Sequence, residues 1–274
     1  MISPTFFFLF SQLGVGMMLC LFFISPREIG NSFFKFASLT SAILMGVVLG
    51  FDFMFPSPVR AGGLPVMLLF ISALLTVVYN RVMDAKKYTA GLWLLIALSA
   101  TGLLSIITDS TAFNSNKFNL LMQLGGWEYI LLVLGNLAAT AILGSVMLTM
   151  VFGHWYLVIP GLSITHLARL TKVLIAAVVF RIATIALSFA VVDLKQAIPM
   201  GRIMRELMLG QGLFFWPRVL FGVVIPIVLS VMIWNTVKLK HTQAATGLLY
   251  LAVVAVLFGE FFSKFLLFTS RLAL

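Results

Sequence analysis

Three positions in the last two apolar stretches carry groups that lipid does not tolerate without a reason: Arg218, Glu260 and Lys264. An ionisable side chain at the centre of a membrane costs about 2.5–3.5 kcal/mol on insertion scales, so such groups face a protein interior or a polar cavity. Glu260 and Lys264 are four residues apart, on one helical face and within pairing reach of each other. Arg218 enters its stretch from the side toward which Glu260 leaves its own, and a rise of about 1.5 Å per residue sets the two at similar depth. Asp52, near the end of the second stretch, and Arg181, within the sixth, complete the set. Two chemistries suit a carboxylate among cations in apolar surroundings. One is a salt-bridge cluster that ties helices together; the other is a polar site whose carboxylate accepts a proton from a bound substrate. Arg181 fits a proton path, and fits equally a bond to a neighbouring carbonyl or acidic side chain.

The elements that must position these groups follow from composition. Apolar residues are 62% of the 274 and charged residues 9%, against about half and about a quarter in a soluble domain. So few charges cannot cover a water-exposed surface. At about 20 apolar residues per crossing, the chain accommodates some eight spans and no soluble catalytic domain. Apolar runs bounded by turn or charge signals predict spans at Thr5–Ile24, Phe34–Phe55, Leu64–Met83, Ala90–Thr108, Tyr129–Phe152, Val173–Val192, Leu213–Val237 and Ala244–Phe268. The expected fold is therefore an all-α, polytopic transmembrane bundle, with residues 1–274 forming a single integral-membrane domain.

The net charge of +10 suits basic flanking loops rather than nucleic acid. No Lys or Arg precedes the first span and no small-residue cleavage pattern follows it, so it does not read as a signal peptide. Connections after spans one, three, five and seven hold nine basic residues, and the opposite side holds seven. The positive-inside rule then predicts a bacterial cytoplasmic (inner) membrane protein with both termini outside.

Ligand arithmetic limits the cofactors. Cys20 is the single cysteine, too few for an iron–sulfur cluster or a Cys-rich zinc site. His154, His166 and His241 all fall at or beyond predicted span ends, which disfavours haem ligation. His154, beside Trp155 and Tyr156, reads as part of an interfacial belt. No dinucleotide or phosphate-binding fingerprint appears. The expectation is a chain with no tightly held cofactor and no metal. Gly46 and Gly50 form a GxxxG, and Gly135, Ala139 and Gly144 supply further small residues for close helix approach.

The most unusual connection is Phe53–Gly63, where Pro56 and Pro58 force an abrupt exit from span two and Arg60 follows. Ser57-Pro58-Val59-Arg60-Ala61 resembles the Pro-x-Arg turn of the membrane anchor subunits of dimethyl sulfoxide reductase and polysulfide reductase, the NrfD/DmsC-like superfamily. Trp216-Pro217-Arg218 resembles the Trp-Arg opening of a late span in that superfamily, and Gly259-Glu260 with Lys264 resembles its Gly-Glu followed by a basic residue. Asp52-Phe53-Met54-Phe55 stands where the family commonly has His-Leu-Gly. The resemblance implies a cofactor-free bundle that binds quinone or quinol as a diffusible substrate. It also implies a partner outside the membrane, an iron–sulfur or multihaem cytochrome subunit of the same respiratory complex. On that reading Asp52 or Glu260 accepts the quinol proton, and Arg60, Arg218 or Lys264 orients the quinone. A small-solute transporter is the competing class, for which Pro226 interrupts span seven without a clear counterpart in the first half. A purely structural assembly subunit needs only the bundle.

Overall fold

The computed structural model describes residues 2–55, 63–114, 127–159, 162–194, 201, 205–210 and 212–270. Among them the chain is helical, without strands. Eight helices are long and apolar enough to cross a membrane, and the protein is an all-α integral-membrane bundle. The elements are α1 (Ile2–Cys20), a short α2 (Pro26–Ile29), α3 (Asn31–Met54), α4 (Leu64–Asp84), α5 (Tyr88–Asn114), α6 (Trp127–Val158), α7 (Ile164–Leu194), α8 (Gly212–Val219), α9 (Ile225–Lys238) and α10 (Thr242–Ser270). The seventh span is α8 and α9 joined by the wider π-helical turn Leu220–Val224, with Pro226 directly after it.

Most span ends agree with the sequence-based expectation to within a few residues; α5 and α6 continue past the expected ends at Thr108 and Phe152 to Asn114 and Val158, and the start of the sixth span differs most. The sixth span begins at Ile164, nine residues before Val173, because His166, Arg169 and Lys172 belong to the helix itself. His166 is buried in its first turn, 3.1 Å from the Glu28 carboxylate, and the Arg169 guanidinium donates to the Phe23 carbonyl at 3.3 Å. Polar residues at a helix end serve contacts with the α1–α3 connection here rather than marking a loop.

Two connections fold alike. In the α4–α5 turn the Lys87 amide donates to the Val82 carbonyl and the Lys86 amide to that of Met83; in the α9–α10 turn His241 and Lys240 do the same toward Thr236 and Val237. Lys86 and Lys240 adopt φ of 57° and 60°, the left-handed position that closes such helix ends. Both turns set consecutive helices antiparallel.

α1 and α6 form the seam of the bundle. α3, α4 and α5 gather on the α1 side, α7 to α10 on the α6 side. A Cβ on Gly16 would strike the Thr140 carbonyl oxygen, and one on Gly144 would strike the Gly16 backbone, so the two backbones touch there. Without a hydrophobic force between helices in lipid, such close packing and small hydrogen bonds supply the association. Ser41 donates to the Gly14 carbonyl at 2.8 Å, Ser72 to that of Leu98 at 2.9 Å and Ser105 to that of Pro65 at 2.6 Å. Gly46 and Gly50, by contrast, meet nothing within 4 Å; both are exposed, and the GxxxG of α3 is not a contact seam in this chain.

Candidate functional site

Six spans bring polar side chains together on the side of the bundle that carries the start of α1. Glu260 lies at its centre, 1% exposed. Arg181 of α7 grips it with two bonds, Nε to Oε1 at 2.8 Å and Nη2 to Oε2 at 2.9 Å. This bidentate fork is the strongest geometry available to a carboxylate. The same guanidinium donates to Ser263 Oγ at 2.9 Å and to the Gly135 carbonyl at 3.1 Å, which joins α6, α7 and α10. Arg218 of α8 approaches Glu260 Oε1 to 3.4 Å through Nη1.

Local structure explains how Arg218 arrives there. A Cβ on Gly222 would collide with the Arg218 guanidinium, and a Cβ on Gly259 would collide with the Gly222 backbone. Two glycines and a π-helical turn therefore let the arginine fold back along its own helix while α10 lies against it. The expected shared depth of Arg218 and Glu260 holds. The expected pairing of Lys264 with Glu260 along one helix face does not. With two arginines on the carboxylate, Lys264 Nζ instead donates to Asn136 Oδ1 at 2.5 Å, above the Phe8 ring at 5.4 Å.

Asn136 is the hub of the second half of the network. Its Oδ1 also accepts from Gln12 Nε2 of α1 at 3.0 Å, and its Nδ2 donates to Ser110 Oγ of α5 at 2.7 Å. Asp109, buried beside Ser110, is close enough to act electrostatically on Lys264. The buried set thus holds three cations, Arg181, Arg218 and Lys264, against the carboxylates of Glu260 and Asp109. Arg218 Nε and Nη2 and Gln12 Oε1 have no hydrogen-bond partner among the described residues. A surplus of positive charge and of donors in a water-poor site favours an electronegative group. An opening of about 10 Å³, room for one water, is lined by Leu132, Gly135, Asn136, Arg181, Ser263 and Lys264. Phenylalanines jacket this end of the bundle: Phe6 packs against Phe10, Phe51 and Phe261, and Phe214 against Phe262 and Phe265.

Asp52 is half-buried near the C-terminal end of α3, a helix that packs against α1 and α4. Arg60 and the turn that carries it lie outside the described residues. His154 is exposed on α6, 3.1 Å from the Tyr250 hydroxyl. Among the described residues no three His, Cys, Asp or Glu side chains come together as metal ligands.

Asn136, Gln12 and Asp109 are members that the types of the residues alone do not single out, and for Arg181 what they leave open is its partner, Glu260. A depth count carries a usable signal for that pairing. Arg181 stands seventeen residues beyond Ile164 and Glu260 eighteen beyond Thr242, and both helices start from the same side. Counting from Val173 hides that equality. Asp109 falls one residue beyond the expected span end at Thr108, whereas α5 continues to Asn114.

Comparison with protein-family models, with curated proteins and with solved structures finds no match to this chain.

Proposed function

We propose that this chain is the quinone-interacting membrane subunit of a respiratory oxidoreductase complex, seated in a bacterial cytoplasmic membrane with both termini outside. The observation that carries the reading is the buried network around Glu260, cationic in sum and rich in unused donors, next to an opening that admits one oxygen atom. A quinone carbonyl gains negative charge as it is reduced, and a preorganised cluster of cations stabilises that charge. Lys264 and Arg181 border the opening and are the groups that meet the oxygen. Glu260, with both oxygens taken by arginines, serves as the counter-charge that makes two buried guanidiniums tolerable. Asp52 stays a proton acceptor, toward the chain end of α3. Electrons pass to or from an iron–sulfur or multihaem cytochrome partner, for which the resemblance of three short motifs to those of the reductase anchor subunits is the support. The subunit itself holds no tightly bound cofactor on this reading.

The test uses the intact complex, purified in mild detergent with whatever subunits accompany the chain. Lys264→Met should lower oxidation of a menaquinol analogue at least tenfold while the subunit yield stays normal. Normal turnover in the assembled Lys264→Met complex, or purification of the chain without any redox partner, contradicts the proposal. A purely structural anchor is the second reading, favoured by the completeness of the Arg181–Glu260 fork. It requires yield to fall while turnover per assembled complex is unchanged.

A further inference from the structure

At the opposite, basic end of the bundle a cavity of about 330 Å³ opens between the end of α1, α2, α3, α4 and α5. Its floor is apolar, formed by Leu21, Phe34, Met83 and Leu95. Two features on its wall call for an acceptor. Tyr79 is buried, 2% exposed, and its hydroxyl has no hydrogen-bond partner among the described residues. Arg27 at the mouth lies 5.8 Å from the Tyr88 ring centroid and pairs with no carboxylate among the described residues. The two acids nearby are already engaged, Glu28 with His166 at 3.1 Å and Asp84 with Lys35 at 2.6 Å. Arg81, Lys86 and Lys87, all exposed, extend the positive field around the adjoining turn. Phe22 and Leu92, at 41% and 52% exposure, make the rim apolar toward the lipid.

We propose that this cavity binds one anionic phospholipid, with the phosphate between the Arg27 guanidinium and the Tyr79 hydroxyl and an acyl chain along Leu92 and Leu95. A cation and a buried neutral donor match a phosphodiester, and basic pockets between spans take anionic head groups. A reacting quinol fits less well, because no carboxylate or histidine lines the cavity to take its proton. The inference is independent of the quinone reading, which concerns the other end of α1.

The full chain, stripped of lipid in detergent, is titrated with phosphatidylglycerol or phosphatidylcholine, and retained lipid is counted by native mass spectrometry. One saturable phosphatidylglycerol is expected, with phosphatidylcholine retained weakly. Arg27→Gln should weaken that retention about tenfold, the loss of one charge-assisted contact. Tyr79→Phe, which keeps the ring and its packing, should weaken it several-fold with an unchanged Tm in lipid-free detergent. Equal retention of both lipids, or unchanged retention in both variants, overturns the proposal. So does displacement by glycerol-1-phosphate at equal concentration, which identifies a free phosphate ester as the ligand, or displacement by a menaquinone analogue, which identifies a quinone.

Discussion

The two ends of α1 solve opposite problems. Near Gln12 the helix enters a closed, charged region whose free volume is that of one water. Near Leu21, roughly 14 Å along the same helix by its rise, it borders a roomy cavity with an apolar floor and a few waiting polar groups. Leu13, Val15, Met17 and Met18 between them are all buried, and Gly16 is pressed against Gly144. Volume and buried charge are thus separated. The charged cluster has almost no space, and the cavity with space holds little buried charge. A charged cluster in lipid must be closed to be stable, because an unpaired charge is costly and a fork of ion pairs leaves no gap. A cavity at the membrane surface can stay open because water and head groups can fill it.

The contrast sharpens or fails under mutation, beginning where the largest effect is expected. Glu260→Gln removes the counter-charge of two buried guanidiniums and should destabilise the bundle by about 3–5 kcal/mol, seen as lost yield and a lower unfolding midpoint in detergent. Adding Arg181→Met in the same chain should recover part of that loss, since one orphaned cation disappears. A Glu260→Gln protein as stable as the wild type means that the carboxylate is not the balance point of the network.

Gly144→Ala is expected to cost about 1–3 kcal/mol, because its methyl group must push α1 and α6 apart at their backbone contact. Gly46→Ala, on the exposed face of α3, is the control and should be neutral. Equal effects at the two glycines would deny that α1 and α6 form the seam.

Asn136→Leu breaks three side-chain bonds at once, to Gln12, Ser110 and Lys264. Interhelical hydrogen bonds in membranes average about 0.6 kcal/mol, so a loss of about 2 kcal/mol is expected. The smallest effect belongs to the basic end. Lys35→Met deletes an exposed ion pair with Asp84 and should leave the unfolding midpoint unchanged, as solvent and salt already screen it. A large loss there would erase the distinction between the two ends.

Much of the bundle is legible in the residues alone. A run of about 20 apolar side chains can only be a span, so eight crossings follow from hydropathy. The Arg218–Glu260 approach follows from depth counting, because two antiparallel helices of known start fix the height of every residue. The pairing of Arg181 with Glu260 does not follow once the sixth span is started at Val173, since His166, Arg169 and Lys172 look like a loop until the α1–α3 connection is there to receive them. Asn136 and Gln12 carry no charge, so a search for ionisable groups passes over them. Their importance comes from the helix seam, a tertiary fact. The cavity at the basic end is formed by the ends of five elements and has no local signature. Gly46-x-x-x-Gly50 shows the reverse case: a motif present in the sequence whose face no helix covers.

The claim that the Glu260 end is where a quinone reacts, and the Arg27 end where lipid binds, is tested most directly by photolabelling. The intact complex is illuminated with an azido-quinone, and the labelled peptides of this chain are sequenced with and without excess unlabelled menaquinone analogue. The expected result is label that the competitor removes, on α6 near Leu132–Asn136 and on α10 near Ser263–Leu267, the residues that line the small opening. Competable label confined to α4 and α5 between Tyr79 and Leu95, or label that no competitor removes, contradicts it.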